Sequence, residues 1–249
     1  MSDSYHFDFS QRRIEGATVA NALALAGIAA LTPVDADPSS TTKAITYPSL
    51  THLSVTPHSI TALQASALGA ELAKISHYTG VAPAPWDHFA YAQQVIESSV
   101  FPNDTRERAR RVVGIVRHDT HTLYSGPQSF AHGDLQLYNV LFLEDGTLTI
   151  VNWDYAGAAP LGWDLAYLRT HLTLTERNPE RFADLLKAYQ ANGGGVPDDI
   201  QTLCLVNAML SVSFTMTKPL TNERVEQVER QLGALEAWAL SGVEPLWPG

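Results

Sequence analysis

The stretch FAHGDLQLYNVLFLEDGTLTIVNWDYAGAAPLGWDLAYL, residues 130–168, decides how the rest of the chain is read. Val140 to Leu143 reads as a strand, Asp145-Gly146 as a hairpin turn, and Thr147 to Val151 as the return strand. Strands joined by a tight turn run antiparallel. Asn139, before the first strand, and Asn152, after the second, are therefore expected at one end of the ribbon. His132-Gly133-Asp134 enters the same neighbourhood through a loop. One carboxylate and two amides converge there, and carboxylate and carbonyl oxygens are the ligands that a hard cation such as Mg²⁺ takes.

Further out, residues 5–10 (YHFDFS) alternate aromatic and polar side chains and predict a short strand. Ile14, Val19, Leu23 and Ile28 predict a helix over 14–31, ended by Pro33. Residues 35–42 (DADPSSTT) are turn chemistry, and 43–55 read as short extended pieces around Pro48. A helix is predicted from Thr56-Pro57 to about Ser76, with Leu63, Leu68, Leu72 and Ile75 inward. After a loop at 79–86, Asp104 and Glu107 have capping-box spacing and open a helix to about Tyr124, which Ser125-Gly126-Pro127 breaks. Beyond the hairpin the chain reads as helical over 164–173, 179–191, 198–217 and 222–240, with Asp198 or Asp199 capping the third of these.

HGDLQLYNVLF resembles the catalytic loop of the aminoglycoside phosphotransferase family, which shares the protein-kinase fold. TIVNWDYAGAAPLGWDLAYL resembles the metal-binding segment next to it in that family. The likeness is dense over 130–168 and extends through helix order and spacing over 58–129 and 169–240. It implies an α+β, protein-kinase-like fold. A reduced N-terminal lobe of short strands and one helix would occupy 1–57, and a mostly helical C-terminal lobe 58–249, with the catalytic-loop hairpin at 130–156. It further implies that Asp134 is the carboxylate that orients a substrate hydroxyl or accepts its proton, and that Asn139 binds metal. His132 would organise the loop, although an ordinary buried histidine fits the sequence as well. Asp164 would brace the loop from the following helix, and an N-cap after Gly162-Trp163 is equally compatible. Asp154 would be peripheral.

The sequence also departs from the family pattern. Asn152 stands where the metal-clamping Asp is expected; its amide oxygen can ligate Mg²⁺ but brings no charge. A kinase-like N-lobe carries a five-stranded sheet, a Gly-rich loop over the phosphates and a Lys paired with a helix Glu. Here no glycine precedes Gly16 and no lysine precedes Lys43, and the space before residue 50 holds roughly three short strands beside the helix. Glu15 could mimic the helix Glu, with no Lys to pair it.

Over its 249 residues the chain is 45% apolar and 17% charged, ordinary globular composition. Acids outnumber bases 26 to 16, for a net charge of −10, and no Lys/Arg stripe is present, so nucleic acid is not an expected partner. The one basic cluster, Arg106, Arg108, Arg110 and Arg111 with Arg117 beyond, reads as a solvated helix face. Cys204 is alone, which excludes a disulfide and a cysteine-built zinc site. Arg12-Arg13 before the Ala-rich 17–34 stretch has the look of a twin-arginine signal, but Asp3, Asp8, Glu15 and Asn21 argue against it. The expected location is cytoplasmic, without a membrane span.

The leading functional expectation is a pseudokinase-like protein that binds a small molecule, peptide or protein partner in its C-lobe cleft, with no cofactor of its own. The alternatives are an active O-phosphotransferase using Mg and ATP on a small-molecule or peptide hydroxyl, alone or completed by a partner chain, and non-phosphoryl chemistry in the same cleft with Asp134 as general base. Self-association or a protein partner is expected through residues 1–55, where an unpaired strand edge and the Ile14, Val19, Leu23 face would be exposed. Trp86, Trp163 and Trp238 are candidates to line a pocket or fill the core.

Overall fold

The computed structural model describes residues 9–36, 45–46, 48–49, 51–53, 55–56, 58–80, 87–120, 122–175, 178–198 and 200–245. In chain order the elements are α1 (Phe9–Leu25), β1 (Asp35–Ala36), β2 (Ile45–Thr46), β3 (His52–Leu53), α2 (Ala62–Ser76), α3 (His88–Ser98), α4 (Asn103–Thr120), β4 (Gln128–Ala131), β5 (Val140–Leu143), β6 (Leu148–Ile150), β7 (Gly157–Pro160), α5 (Trp163–Arg169), α6 (Pro179–Ala191), α7 (Ile200–Thr215) and α8 (Asn222–Ser241). They form two compact units interleaved in sequence. One comprises Asp8–Pro85 and Pro127–Asp198, the other Met1–Phe7, Trp86–Gly126 and Asp199–Gly249. The lobe boundary expected near residue 57 falls inside the first unit, between β3 and α2.

In the first unit, α1 starts earlier and stops sooner than its apolar spacing predicts. Phe9 and Ser10 of the expected first strand belong to the helix, and residues 5–8 lie outside the described residues. The stop is Gly27, not Pro33. Gly27 sits at φ +75°, its N–H bonds Ala24 O at 3.0 Å, and the Ile28 N–H bonds Leu23 O at 3.0 Å. That pair of bonds is the left-handed helix-ending motif, which glycine enters without steric cost. The chain then runs beside β6: Ile150 N–H bonds Ala29 O at 2.7 Å and Leu31 N–H bonds Ile150 O at 2.9 Å. On the other side β3 pairs antiparallel with β5, so both edges of the β5–β6 hairpin are covered.

Val19 and Leu23 of α1 are fully buried within this unit, against the 153–155 turn. Of the apolar face expected to be open on α1, Val19 and Leu23 are therefore covered, and Ile14 is half-buried. Helix α2 begins at Ala62 under a Thr61–Gln64 capping box, six residues later than Thr56-Pro57 suggested. It packs along α6, with Gly69 against the Leu185 carbonyl and the Tyr189 backbone N, and it buries Leu68, Leu72 and Ile75. Leu63, expected inward, is 81% exposed, because five residues back from Leu68 is about 140° around a helix.

In the second unit α7 is buried along most of its length and packs against α3, α4 and α8. Helix α3, N-capped by Asp87, falls where no element was predicted. The arginine cluster is not a purely solvated face. Arg108 reaches from α4 to α8, bonding Glu229 at 2.8 Å and Glu236 at 2.6 Å, and Arg110 holds Glu97 of α3 at 2.6 Å. Trp163 and Trp238 are core residues of their own units; Trp86 and Asp199 lie outside the described residues. Among the described residues no helix is long and apolar enough to cross a membrane.

Candidate active site

The site is built by two antiparallel ribbons of the first unit. Strands β5 and β6 pair Val140 with Ile150, Leu141 with Thr149 and Phe142 with Leu148. Their turn closes with Gly146 N–H on Leu143 O at 2.9 Å and Gly146 at φ +85°, a three-residue loop with a bulge. This register brings Asn139 and Asn152 to one end, where the Asn152 Nδ2 faces Asn139 Oδ1 at 3.5 Å. Strands β4 and β7, which sequence patterning does not reveal, pair Ala131 with Gly157 and hold the 132–139 loop beside that end.

Inside the loop the side chains of His132, Asp134, Gln136, Tyr138 and Asn139 each have a hydrogen-bond partner. The Asp134 N–H donates to His132 Nδ1 at 3.2 Å, so the imidazole proton sits on Nε2, 2.9 Å from Val151 O. His132 is fully buried and ties the loop to the end of β6. Gly133 is at φ +85°, and a Cβ there would lie 2.3 Å from Tyr155 O; the loop closes on the 153–155 turn only because this residue is glycine. Asp164 does not cap α5, whose N-cap is Gly162. Its carboxylate accepts the His132 N–H at 2.6 Å and the Gly133 N–H at 3.0 Å, from a side chain 3% exposed. Burial pushes this carboxyl up, and the two N–H groups and His132 pull against it.

Asp134 is held by four donors. Tyr167 OH (2.8 Å) and Gln136 Nε2 (3.1 Å) donate to Oδ1, and Asn139 Nδ2 (3.2 Å) and Tyr138 OH (3.3 Å) donate to Oδ2. Burial of Tyr167 and partial desolvation of Tyr138, whose side chain stays half open to solvent, push both phenols up, with the Asp134 charge adding to it, so both hydroxyls keep their protons and act as donors. Gln136, Tyr138 and Tyr167 were not singled out from the sequence. The available signals were spacing: Gln136 and Tyr138 lie two and four residues past Asp134, and Tyr167 lies one turn past Asp164.

Asn152 is the one non-glycine residue with positive φ among the described residues, at φ 64°, ψ 59°. Asn and Asp tolerate this left-handed conformation better than other side chains, so the backbone accepts the amide. The next turn carries Asp154, whose carboxylate lies 3.7 Å from Arg13 of α1. Burial pushes Asp154 up and Arg13 opposes the shift. Helix α1 meets this turn at Gly16, where a Cβ would sit 2.9 Å from the backbone N of Asp154.

A divalent cation held by the protein needs carboxylate charge. Here the donors at the ribbon end are two amides, one turned toward the other, and an Asp134 whose oxygens are already occupied. The set does not fit a resident Mg²⁺.

The profile of the phosphotransferase enzyme family matches residues 17–200, the span that contains this loop and hairpin. The chain belongs to that family. No curated sequence shows a match. Solved structures of similar fold include a choline/ethanolamine kinase family protein from Mesorhizobium loti, at 19% identity and TM-score 0.66, covering 93% of this chain and 80% of that one. Amicoumacin kinase hAmiN gives 16% and 0.71, covering 98% and 80%, and choline kinase LicA from Streptococcus pneumoniae gives 15% and 0.69, covering 92% and 84%. At these identities the likeness is one of fold. This phosphotransferase-family chain has the kinase-like α+β architecture, with short strands and one helix ahead of α2.

Proposed function

We propose that this phosphotransferase-family protein binds a small molecule, peptide or protein partner around Asp134 without ATP-dependent catalysis of its own. The carrying observation is Asn152, whose amide faces Asn139 where a metal-clamping carboxylate belongs. Phosphoryl transfer is almost entirely positioning and electrostatic stabilisation, and the metal ions supply much of the charge. An uncharged pair of amides withdraws that contribution. The four donors on Asp134 support the same reading, since a carboxylate so occupied is a poor acceptor for a substrate proton.

The second reading, an active O-phosphotransferase using Mg and ATP, is favoured by one feature: the His132, Asp134, Asn139 and Asp164 network is fully assembled. The two separate on Asn152→Asp. Restoring one carboxylate at this half-buried position is expected to raise Mg·ATP affinity by less than about tenfold. A gain of about a hundredfold or more, with phosphoryl transfer appearing, would establish that Asn152 alone silences an otherwise complete kinase. A partner chain or second copy is proposed through residues 1–55, where Leu25, Val34 and Leu53 are exposed. Light scattering of the purified chain, expected to show a dimer or larger species, tests this; a monomer with no co-purifying partner contradicts it.

A further inference from the structure

We infer that the Tyr138 hydroxyl is a built-in stopper on Asp134, occupying the carboxylate position that an incoming ligand's donor must take. This rests on the reading of Asp134 as the centre of the ligand site. An ionised carboxylate offers about four acceptor positions. All are used here: Tyr167 and Gln136 on Oδ1, Asn139 and Tyr138 on Oδ2. Nothing with an O–H or N–H can bind Asp134 until one of these leaves.

The four are not equally held. Tyr167 is only partly accessible, bonds Asp134 at 2.8 Å and receives a second bond from Gln136 at 2.7 Å. Gln136 is fixed by that same pair of contacts. Asn139 is 3% exposed and its Nδ2 also bonds the Asp134 backbone carbonyl at 2.7 Å. Tyr138 has the longest bond of the set, 3.3 Å, and is 59% exposed. Its hydroxyl can find water when it leaves, whereas the others would abandon buried partners. Tyr138 is thus the donor that yields, and the ligand must bring a donor of its own to replace it.

The test measures access to Asp134 in the full-length chain. The probe is carbodiimide-driven coupling of glycine ethyl ester, read by peptide mass spectrometry with the exposed Glu144 as internal reference. Wild-type Asp134 is expected to label well below Glu144. Tyr138→Phe, which keeps the ring and removes only the hydroxyl, is expected to raise labelling at Asp134 about fivefold, the factor one hydrogen bond carries. Tyr138→Ala is expected to raise it at least as far. Equal labelling of Asp134 and Glu144 in the wild type would overturn the inference. So would a rise confined to Tyr138→Ala, which would make the ring the barrier. Mg·ATP binding by the wild type would defeat the functional reading and leave these labelling rates where they are, so the two failures are distinguishable.

Discussion

Asp164→Ala should be the most damaging single change at the site, and it should act on stability before any ligand is considered. The carboxylate is 3% exposed and accepts the backbone N–H groups of His132 and Gly133 at 2.6 and 3.0 Å. Alanine leaves both donors buried without an acceptor. A hydrogen bond to a charged group contributes about 1.5–3 kcal/mol, so the pair sets a ceiling of about 6 kcal/mol. Part of this is returned, because holding an ionised carboxylate in the interior is itself costly, as the upward push on Asp164 indicates. The expected net loss is about 3–4 kcal/mol, or roughly 10 °C in Tm for a chain of this size. Asp164→Asn keeps one acceptor and turns its NH₂ toward the other donor, so it should lose about 2 kcal/mol. Urea denaturation of the three proteins, with Tm as a cross-check, reads these values. A loss under about 1 kcal/mol for Asp164→Ala would refute the account of this residue as the brace of the 132–134 loop.

Other perturbations separate further parts of the structure. Gly16→Ala puts a methyl 2.9 Å from the Asp154 backbone and should cost about 2 kcal/mol in the same denaturation assay; a neutral effect would mean that α1 does not pack as described. Arg108→Ala breaks two contacts to α8 and should cost about 1 kcal/mol at pH 7, discounted for the partial exposure of all three side chains. Burial raises the Glu229 carboxyl, but the bonds from Thr105 and Arg108 more than offset it and hold it below its ordinary range. Its contribution is therefore present above the unfolded value near 4.3 and lost as pH falls through the lower folded value, so the gap between wild type and Arg108→Ala should narrow in acid. A gap that widens below pH ~4 would contradict that sign.

The hairpin was legible because its signals are local. Asp145-Gly146 between two apolar runs has few readings, and antiparallel geometry then forces Asn139 and Asn152 together. Asp164 illustrates the limit. Its two roles, cap or brace, have the same sequence, and only the path of the β4–β7 ribbon puts His132 and Gly133 within its reach. The four donors on Asp134 were illegible for a related reason: Tyr167 comes from a helix 33 residues away. The boundaries of α1 and α2 were misplaced where glycine geometry at Gly27 and capping at Thr61 outweighed apolar spacing and proline. Val19 and Leu23 read as open because the 153–155 turn that α1 packs against lies far along the chain, and no pattern within α1 reports that contact.

The central claim is that Asn152 and the occupied Asp134 leave this phosphotransferase-family chain without an independent site for metal-nucleotide. Calorimetric titration of Mg·ATP into the wild-type protein, repeated with EDTA, tests it most directly. The account predicts no metal-dependent binding up to about 1 mM nucleotide, a free energy no better than about −4 kcal/mol. Saturable binding in the micromolar range that EDTA abolishes would contradict it and establish a working nucleotide site.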